Sequence, residues 1–273
     1  MGDFVEENRA YWEEAAAHHP TTDYYDVEAF LDGESSLWPL EREEVGDVEG
    51  KRLCHLQCHF GLDTLSWARE GAAAVTGVDF AAEAIELARE LAAEAGLADR
   101  TRFVRTNVYD LPEILDERYD VVFTSYGVLG WLPDLDRWAD VVSHVLEPGG
   151  TFYIAEIHPT SSMLPWDFDG ETATFSYPYV TRDEPLTFDD GATYADEEAD
   201  LEHARTHNWN HGLGEILTAL LDAGLELDFV REHRFTTWEQ FPDAMARGDD
   251  GYWRLDGDVD LPLLFSVRAR KRA

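Results

Sequence analysis

Residues 51–80, KRLCHLQCHFGLDTLSWAREGAAAVTGVDF, constrain this chain more than any other stretch. Lys51 to Cys58 is mostly apolar and runs into a loop at Gln57-Cys58-His59-Phe60-Gly61. A helical run follows from Leu62 to Glu70, with Gly71 placed to end it. Ala73 to Val78 then forms a second apolar run, closed by Asp79. In an open parallel sheet such a unit puts its first turn at the carboxyl ends of the strands, where nucleotide-like ligands bind. Asp79 stands 22 residues beyond Gln57, near the offset at which an acid reaches a ribose hydroxyl. The unit is suited to holding an adenosine.

The same rhythm continues. Strands are expected at about 51–57, 73–79, 102–107, 120–125 and 151–157, with helices at about 62–70, 81–95 and 134–146 between most of them. That alternation predicts an α/β fold, a parallel sheet with helices on both faces. Ahead of it come a helix over 4–17, a short helical stretch at 26–31 and acidic loop material to Gly50. Residues 160–205 break the rhythm with prolines, aromatics and acids. A helix at about 212–223 then leads to strands near 225–235 and 262–270, the last opened by Leu261-Pro262. The expected organisation is one domain over 1–273: an arm or lid (1–50), a core (51–158), an insertion (159–211) and a C-terminal helix with a strand pair (212–273).

Several stretches repeat a pattern beyond simple alternation. Val75-Thr76-Gly77-Val78-Asp79-Phe80 ends a second strand on an acid and an aromatic. Asn107-Val108 follows the third strand, and Tyr119-Asp120-Val121-Val122-Phe123-Thr124-Ser125 forms the fourth, continued by Val128-Leu129-Gly130-Trp131-Leu132. Leu146-Glu147-Pro148-Gly149-Gly150 reads as the turn into the fifth. In order and spacing, residues 51–158, and less specifically the chain to 270, resemble class I S-adenosylmethionine-dependent methyltransferases. The resemblance implies a Rossmann-like, seven-stranded, mostly parallel sheet whose last strand is antiparallel. It also implies S-adenosylmethionine as cofactor, with Asp79 accepting from the ribose hydroxyls and Phe80 bordering the adenine. Asn107 and Val108 would lie at the adenine edge, with Ser125 at the end of the fourth strand.

One motif departs from the family. Its first strand and loop read apolar-apolar-Asp-apolar-Gly-x-Gly-x-Gly, whereas this chain has Leu53-Cys54-His55-Leu56-Gln57-Cys58-His59-Phe60-Gly61. Only Gly61 matches. His55 replaces the acid, and Gln57 and His59 replace two glycines where backbone approaches the amino-acid end of the cofactor. The Leu-Gln-Cys-His-Phe-Gly loop resembles that of one branch of the family, which places Gln57, Cys58, His59 and Gly61 at the cofactor. Plainer readings stand beside these. Gln57 and His59 fill a loop, Asp79 caps a helix starting near Ala81, and Asn107 closes a turn through its own side chain.

Methyl transfer requires a base only where the acceptor carries a proton at working pH. His158, after the fifth strand, is the candidate, with a structural histidine as the alternative; Glu156 faces either the core or the cofactor side. A small-molecule acceptor is expected between two aromatic groups. Tyr11, Trp12, Tyr24 and Tyr25 belong to the arm, and Trp166, Phe168, Phe175, Tyr177 and Tyr179 to the insertion. They line a lid or form a satellite core. No metal is expected. Cys54 and Cys58 are separated by three residues, and strand alternation puts Cys54 and His55 on opposite faces. His207-Asn208-Trp209-Asn210-His211 leads into the next helix. A nicotinamide-dependent oxidoreductase would share Asp79 but needs a Gly-x-Gly-x-x-Gly loop that is absent. A non-catalytic binder of the same cofactor is the remaining rival.

Charge narrows the partners. Fifty-seven acids against 21 bases give a net −36, and the only lysines are Lys51 and Lys271. Duplex nucleic acid is disfavoured, because no basic stripe exists to meet its phosphates. No apolar run approaches the roughly 18 residues of a membrane span, and the acidic first residues lack a signal peptide's apolar core. The expected location is cytoplasmic. Because the acids are scattered, the excess fits a salt-rich cytoplasm, where a Debye length of about 3 Å at 1 M screens neighbouring carboxylates. Circular dichroism across a potassium chloride series should show marked destabilisation below about molar salt, the range that screening sets. Equal melting temperatures in dilute and concentrated salt would remove this reading.

Overall fold

The computed structural model describes residues 2–196 and 198–273. Its centre is a seven-stranded sheet. The first five strands are β1 (Arg52–Leu56), β2 (Ala74–Asp79), β3 (Thr101–Arg105), β4 (Tyr119–Ser125) and β5 (Leu146–Ile157). The chain then forms a small hairpin, β6 (Leu186–Asp189) with β7 (Arg205–Asn208), before β8 (Leu225–His233). A second hairpin, β9 (Met245–Arg247) with β10 (Trp253–Leu255), precedes β11 (Leu264–Lys271). The order across the sheet is β3-β2-β1-β4-β5-β11-β8. β1 to β5 run parallel, and β11 is antiparallel to both of its neighbours, as the family resemblance implied.

Alternation along the strands divides the core in two. Leu53, Val75, Val121 and Phe123 face one side, with α4 (Leu62–Arg69) and α5 (Ala82–Glu94) packed over them. Cys54, Leu56, Val122, Phe152 and Ile154 face the other, covered by α7 (Leu135–Val145) and α8 (Leu213–Asp222). Glycine is required at Gly77, where an added Cβ would lie 2.8 Å from both the Cys58 sulfur and the Phe103 ring. That contact lets the first loop settle directly onto β2.

Element boundaries depart from expectation in places. β3 ends at Arg105, so Asn107 lies outside it, and β5 begins at Leu146 instead of 151 because Tyr119 pairs with Leu146 before a register shift. β11 starts two residues after the expected Pro262, whose missing N–H has no place in the ladder. The acidic stretch before Gly50 is not all loop. Pro39–Val45 forms α3, started by a proline suited to the first turn, with Val45 buried and Leu40 packed beside it. Its run of charge, Glu41-Arg42-Glu43-Glu44, hides the apolar face, and two of those acids are buried. The short helix α6 (Leu111–Ile114) was likewise not legible.

The N-terminal helix, α1 (Gly2–His18), crosses from the core to the insertion; α2 (Val27–Leu31) follows it. On the core side Glu13 accepts from the Glu83 N–H at 2.9 Å, in the first turn of α5. α5 has no side-chain cap of its own at Ala81, so a carboxylate 70 residues away fills that role. On the insertion side, buried Asn8 joins β7: its amide nitrogen donates to the His207 carbonyl at 2.8 Å and its oxygen accepts from the His207 N–H at 2.7 Å. Asn8→Ala would strand both backbone groups. It should cost about 1–3 kcal/mol in denaturant unfolding and expose the arm to proteolysis; an unchanged unfolding midpoint would mean that the arm is not anchored there.

Candidate functional site

The loop after β1 keeps a glycine-like path without the glycines. Gln57 and His59 sit at φ 55° and 50°, and Gly61 at 84°. A left-handed conformation costs a side-chain-bearing residue roughly 1–2 kcal/mol. The surroundings therefore hold both residues there. Cys58 is buried between them, its N–H donating to Val78 O at 2.9 Å. At Gly61 a Cβ would lie 2.7 Å from the Phe103 ring, so this glycine cannot be replaced as the other two were.

Asp79 closes the loop from the end of β2. One carboxylate oxygen accepts from the His59 N–H at 2.9 Å and the other from the Ala81 N–H at 3.0 Å. Ala81, and not Asp79, occupies the N-cap position of α5. A carboxylate offers about four lone-pair positions, so acceptor capacity remains for a ligand. Burial, the largest effect, lifts its pKa to about 6 against the pull of the backbone N–H groups. Gln57 donates to Val128 O at 3.1 Å, while its side-chain oxygen is buried without a partner among the described residues.

Other candidates lie further off. Phe80 packs against Ala16, Ala81 and Ala84 with Trp12 of the arm beside it. Asn107 accepts from the Tyr109 N–H at 3.1 Å, the plainer of its two readings, and Val108 is buried in the core on the α7 side. Ser125 donates to Asp63 at 3.3 Å, two residues beyond Gly61 in the first turn of α4. His158 is buried, and both of its ring nitrogens are engaged. Nδ1 accepts from the Thr160 N–H at 3.1 Å, which places the proton on Nε2, bonded to Glu232 at 2.9 Å. With its lone pair occupied beside β8 and β11, His158 has the geometry of a structural histidine and not of a free base. His207 and His211, suggestive as neighbours in sequence, serve Glu7 and the Leu132 carbonyl respectively.

Glu156, left open by the sequence, faces the loop after β4. Its buried carboxylate accepts from the backbone N–H groups of Gly127, Val128 at 2.8 Å, Leu129 at 2.9 Å and Ile157. It thereby holds the segment that carries Trp131. Over this floor lies an aromatic roof. Tyr11 stacks on Trp131 at 6.0 Å, and Trp12 stands edge-on to Trp131 and to His59. His19 and His59 share a 2.8 Å hydrogen bond, and burial pushes both imidazoles down, His19 to about 4. One neutral ring donates to the other. Tyr25 contacts Phe60 and bonds through its hydroxyl to Tyr194 of the insertion. Of the insertion aromatics expected there, Phe168 instead joins a satellite core with Phe241, and Trp166 and Phe175 are exposed. His19, Tyr194, Asp63 and Glu41 were missed. Asp63 alone had a signal, its position two residues after Gly61.

A seven-stranded sheet with one antiparallel strand, an acid ending β2 and a left-handed loop facing it form the Rossmann-like fold that solved methyltransferases share, and S-adenosylmethionine is the cofactor that this likeness implies. Residues 54–150 match the family model described as a methyltransferase domain. The ubiquinone biosynthesis O-methyltransferase of Serratia proteamaculans is 27% identical over 162 residues, 53% of this chain and 66% of that protein. The ribosomal RNA large subunit methyltransferase K/L of Pseudomonas paraeruginosa is 28% identical over 144 residues, 49% of this chain and 19% of that protein. The chain thus spans less than two thirds of either relative. An S-adenosylmethionine-dependent methyltransferase from Mesorhizobium loti shares the fold, with a TM-score of 0.60, 23% identity and coverage of 88% of this chain and 100% of that one.

The residues present fit this cofactor. Asp79 has lone pairs for ribose hydroxyls, and the orphaned Gln57 oxygen offers an acceptor beside the loop. Asp79→Ala should weaken S-adenosylhomocysteine binding by about a hundredfold or more, as expected from losing two hydrogen bonds to a charged group. Bound ribose favours the ionised carboxylate. Affinity should therefore be flat above pH about 6 and fall below it as Asp79 takes up a proton. Calorimetry giving the same pH profile for Asp79→Asn would assign the titration to another group.

Proposed function

We propose that the chain transfers the methyl group of S-adenosylmethionine to a small organic acceptor enclosed between the N-terminal arm and the insertion. The observation that carries this reading is the roof: Tyr11, Trp12, His19 and Tyr25 of the arm meet Tyr194 of the insertion over the loop held by Asp79. In this reading residues 1–50 and 159–211 form the acceptor compartment and 51–158 the cofactor-binding core. When bound, the cofactor supplies an electrophilic methyl group whose sulfur departs as a neutral thioether. The protein's work is then mostly orientation and exclusion of water. Gln57, Cys58, His59 and Gly61 line the amino-acid end in this assignment, Asp79 holds the ribose, and Phe80 borders the base.

A ribosomal RNA acceptor, suggested by one relative's name, is disfavoured by the net charge of −36. Among the described residues no helix is long and apolar enough to cross a membrane. The same acidity supports a salt-rich cytoplasm as the working environment. A non-catalytic binder would keep the ribose site without methyl transfer. Thermal unfolding in the presence of candidate ligands tests the proposal, since a ligand that binds only the folded state raises the melting temperature. S-adenosylmethionine and S-adenosylhomocysteine should raise it, and NAD should not. A shift with NAD alone would point to an oxidoreductase.

A further inference from the structure

The run His207-Asn208-Trp209-Asn210-His211 keeps one member whose chemistry the fold does not use up. His211 donates from Nε2 to the Leu132 carbonyl at 2.7 Å. A carbonyl can only accept, so that nitrogen carries the proton and Nδ1 of the neutral ring keeps a lone pair. No hydrogen bond reaches Nδ1 among the described residues, and it is not sealed from the surface. His158 and His207 differ on this point. Nδ1 of His158 accepts from the Thr160 N–H, and both nitrogens of His207 are bonded, to Thr187 and Glu7. Burial pushes the His211 imidazole below its ordinary value, against the pull of the Leu132 carbonyl, Glu215 and the Leu129 carbonyl, so the ring stays neutral. A histidine fixed in one tautomer by main chain, with its other nitrogen open, has the form of a general base.

His211 borders a cavity of about 50 Å³ between the insertion, the loop after β4 and the end of β5. At roughly 10–15 Å³ for each water-sized group, it has room for about three or four of them. Leu129, Ile157, Trp209 and Ile216 give it apolar walls, and Ser162 and Asn210 line it with uncharged polar side chains. Among the described residues of the wall the one carboxylate is Glu156, and four backbone N–H groups already occupy it. Such a lining offers no cationic side chain to an anion and no free carboxylate to a cation. It suits a neutral group that donates a hydrogen bond to Nδ1. The cavity also adjoins the cofactor loop. Gln57 donates to Val128 O at 3.1 Å, and Leu129, the next residue, forms part of the wall.

We propose that this cavity receives the reacting hydroxyl of a neutral acceptor, an alcohol or a phenol, and that His211 is the base that takes its proton. This deepens the methyltransferase reading and rests on it. The acceptor O–H bond breaks toward Nδ1 of His211. The oxygen forms the new O–C bond as the methyl–sulfur bond of the donor breaks, its electron pair staying on sulfur. The products are a methyl ether, a neutral thioether and the His211 imidazolium, which returns its proton to water as the ether leaves. Throughout, the Leu132 carbonyl keeps Nε2–H bonded and holds the ring in place.

The test uses the full chain saturated with S-adenosylhomocysteine. Phenol is the probe, and fluorobenzene, similar in size but without an O–H, is the comparison. In calorimetry phenol should bind about threefold or more tightly, as expected for one hydrogen bond. In His211→Leu the two should bind about equally. Nitrogen-15 NMR of the histidine-labelled, unaltered chain gives a second readout. His211 should carry its proton on Nε2 and none on Nδ1, and phenol, but not fluorobenzene, should move the Nδ1 signal. Absence of phenol binding, fluorobenzene bound as tightly as phenol, or a preference that survives His211→Leu would each overturn the proposal. A proton found on Nδ1, or an Nδ1 signal that phenol leaves unmoved, would do the same. Should the variant fail to fold, the NMR titration still decides. Failure of S-adenosylhomocysteine itself to bind would instead remove the methyltransferase reading beneath it.

Discussion

The Asp79 carboxylate is the contact on which the rest of the site depends. It bonds at once to the N–H of His59, inside the first loop, and to the N–H of Ala81, at the entrance to α5. The loop, the second strand and the following helix are thus fixed to one another by a single side chain. Without it, Gln57 and His59 would lose a reason to hold backbone angles that disfavour them. Close packing under the loop reinforces this. Gly77 gives Cys58 the room to descend, and Phe103 fills the space above Gly61.

Glu156 plays a comparable part on the other side of the sheet's switch point. By gathering the backbone N–H groups that follow β4, it converts an irregular segment into a fixed floor beneath Trp131. Both devices use a carboxylate to organise main chain, and both lie at the carboxyl ends of parallel strands, where an open α/β sheet leaves its crevice. The protein's large acidity is therefore not only a surface property. A few of its acids are spent inside, on backbone donors that no other element satisfies.

The sheet was legible because its signal is local. Apolar runs, helix stops at Gly71 and Gly96, and the acid at Asp79 all follow from neighbouring residues. The first motif was harder, since the conformation that glycine normally announces is here imposed on Gln57 and His59 by packing and hydrogen bonds from distant residues. α3 was read as loop because its charges mask two apolar residues, and the burial of Glu41 depends on β4 and β5, far away in sequence. Asn107 and His158 looked suited to ligand and base. The Nδ1 lone pair of His158 is taken by the Thr160 N–H, and one of the two lone pairs of the Asn107 oxygen by the Tyr109 N–H, a matter of geometry that residue type does not carry.

The crossing of α1 between core and insertion has a kinetic consequence. The same helix caps α5 through Glu13, completes the β7 edge through Asn8 and carries Trp12 to His59. These contacts belong to one rigid rod, so they must be released together. Opening the crevice by moving this helix would then be one concerted event, since all of these contacts would have to break together. On the proposed reading the arm would tie access for one reaction partner to access for the other, because a single helix joins both sides of the crevice.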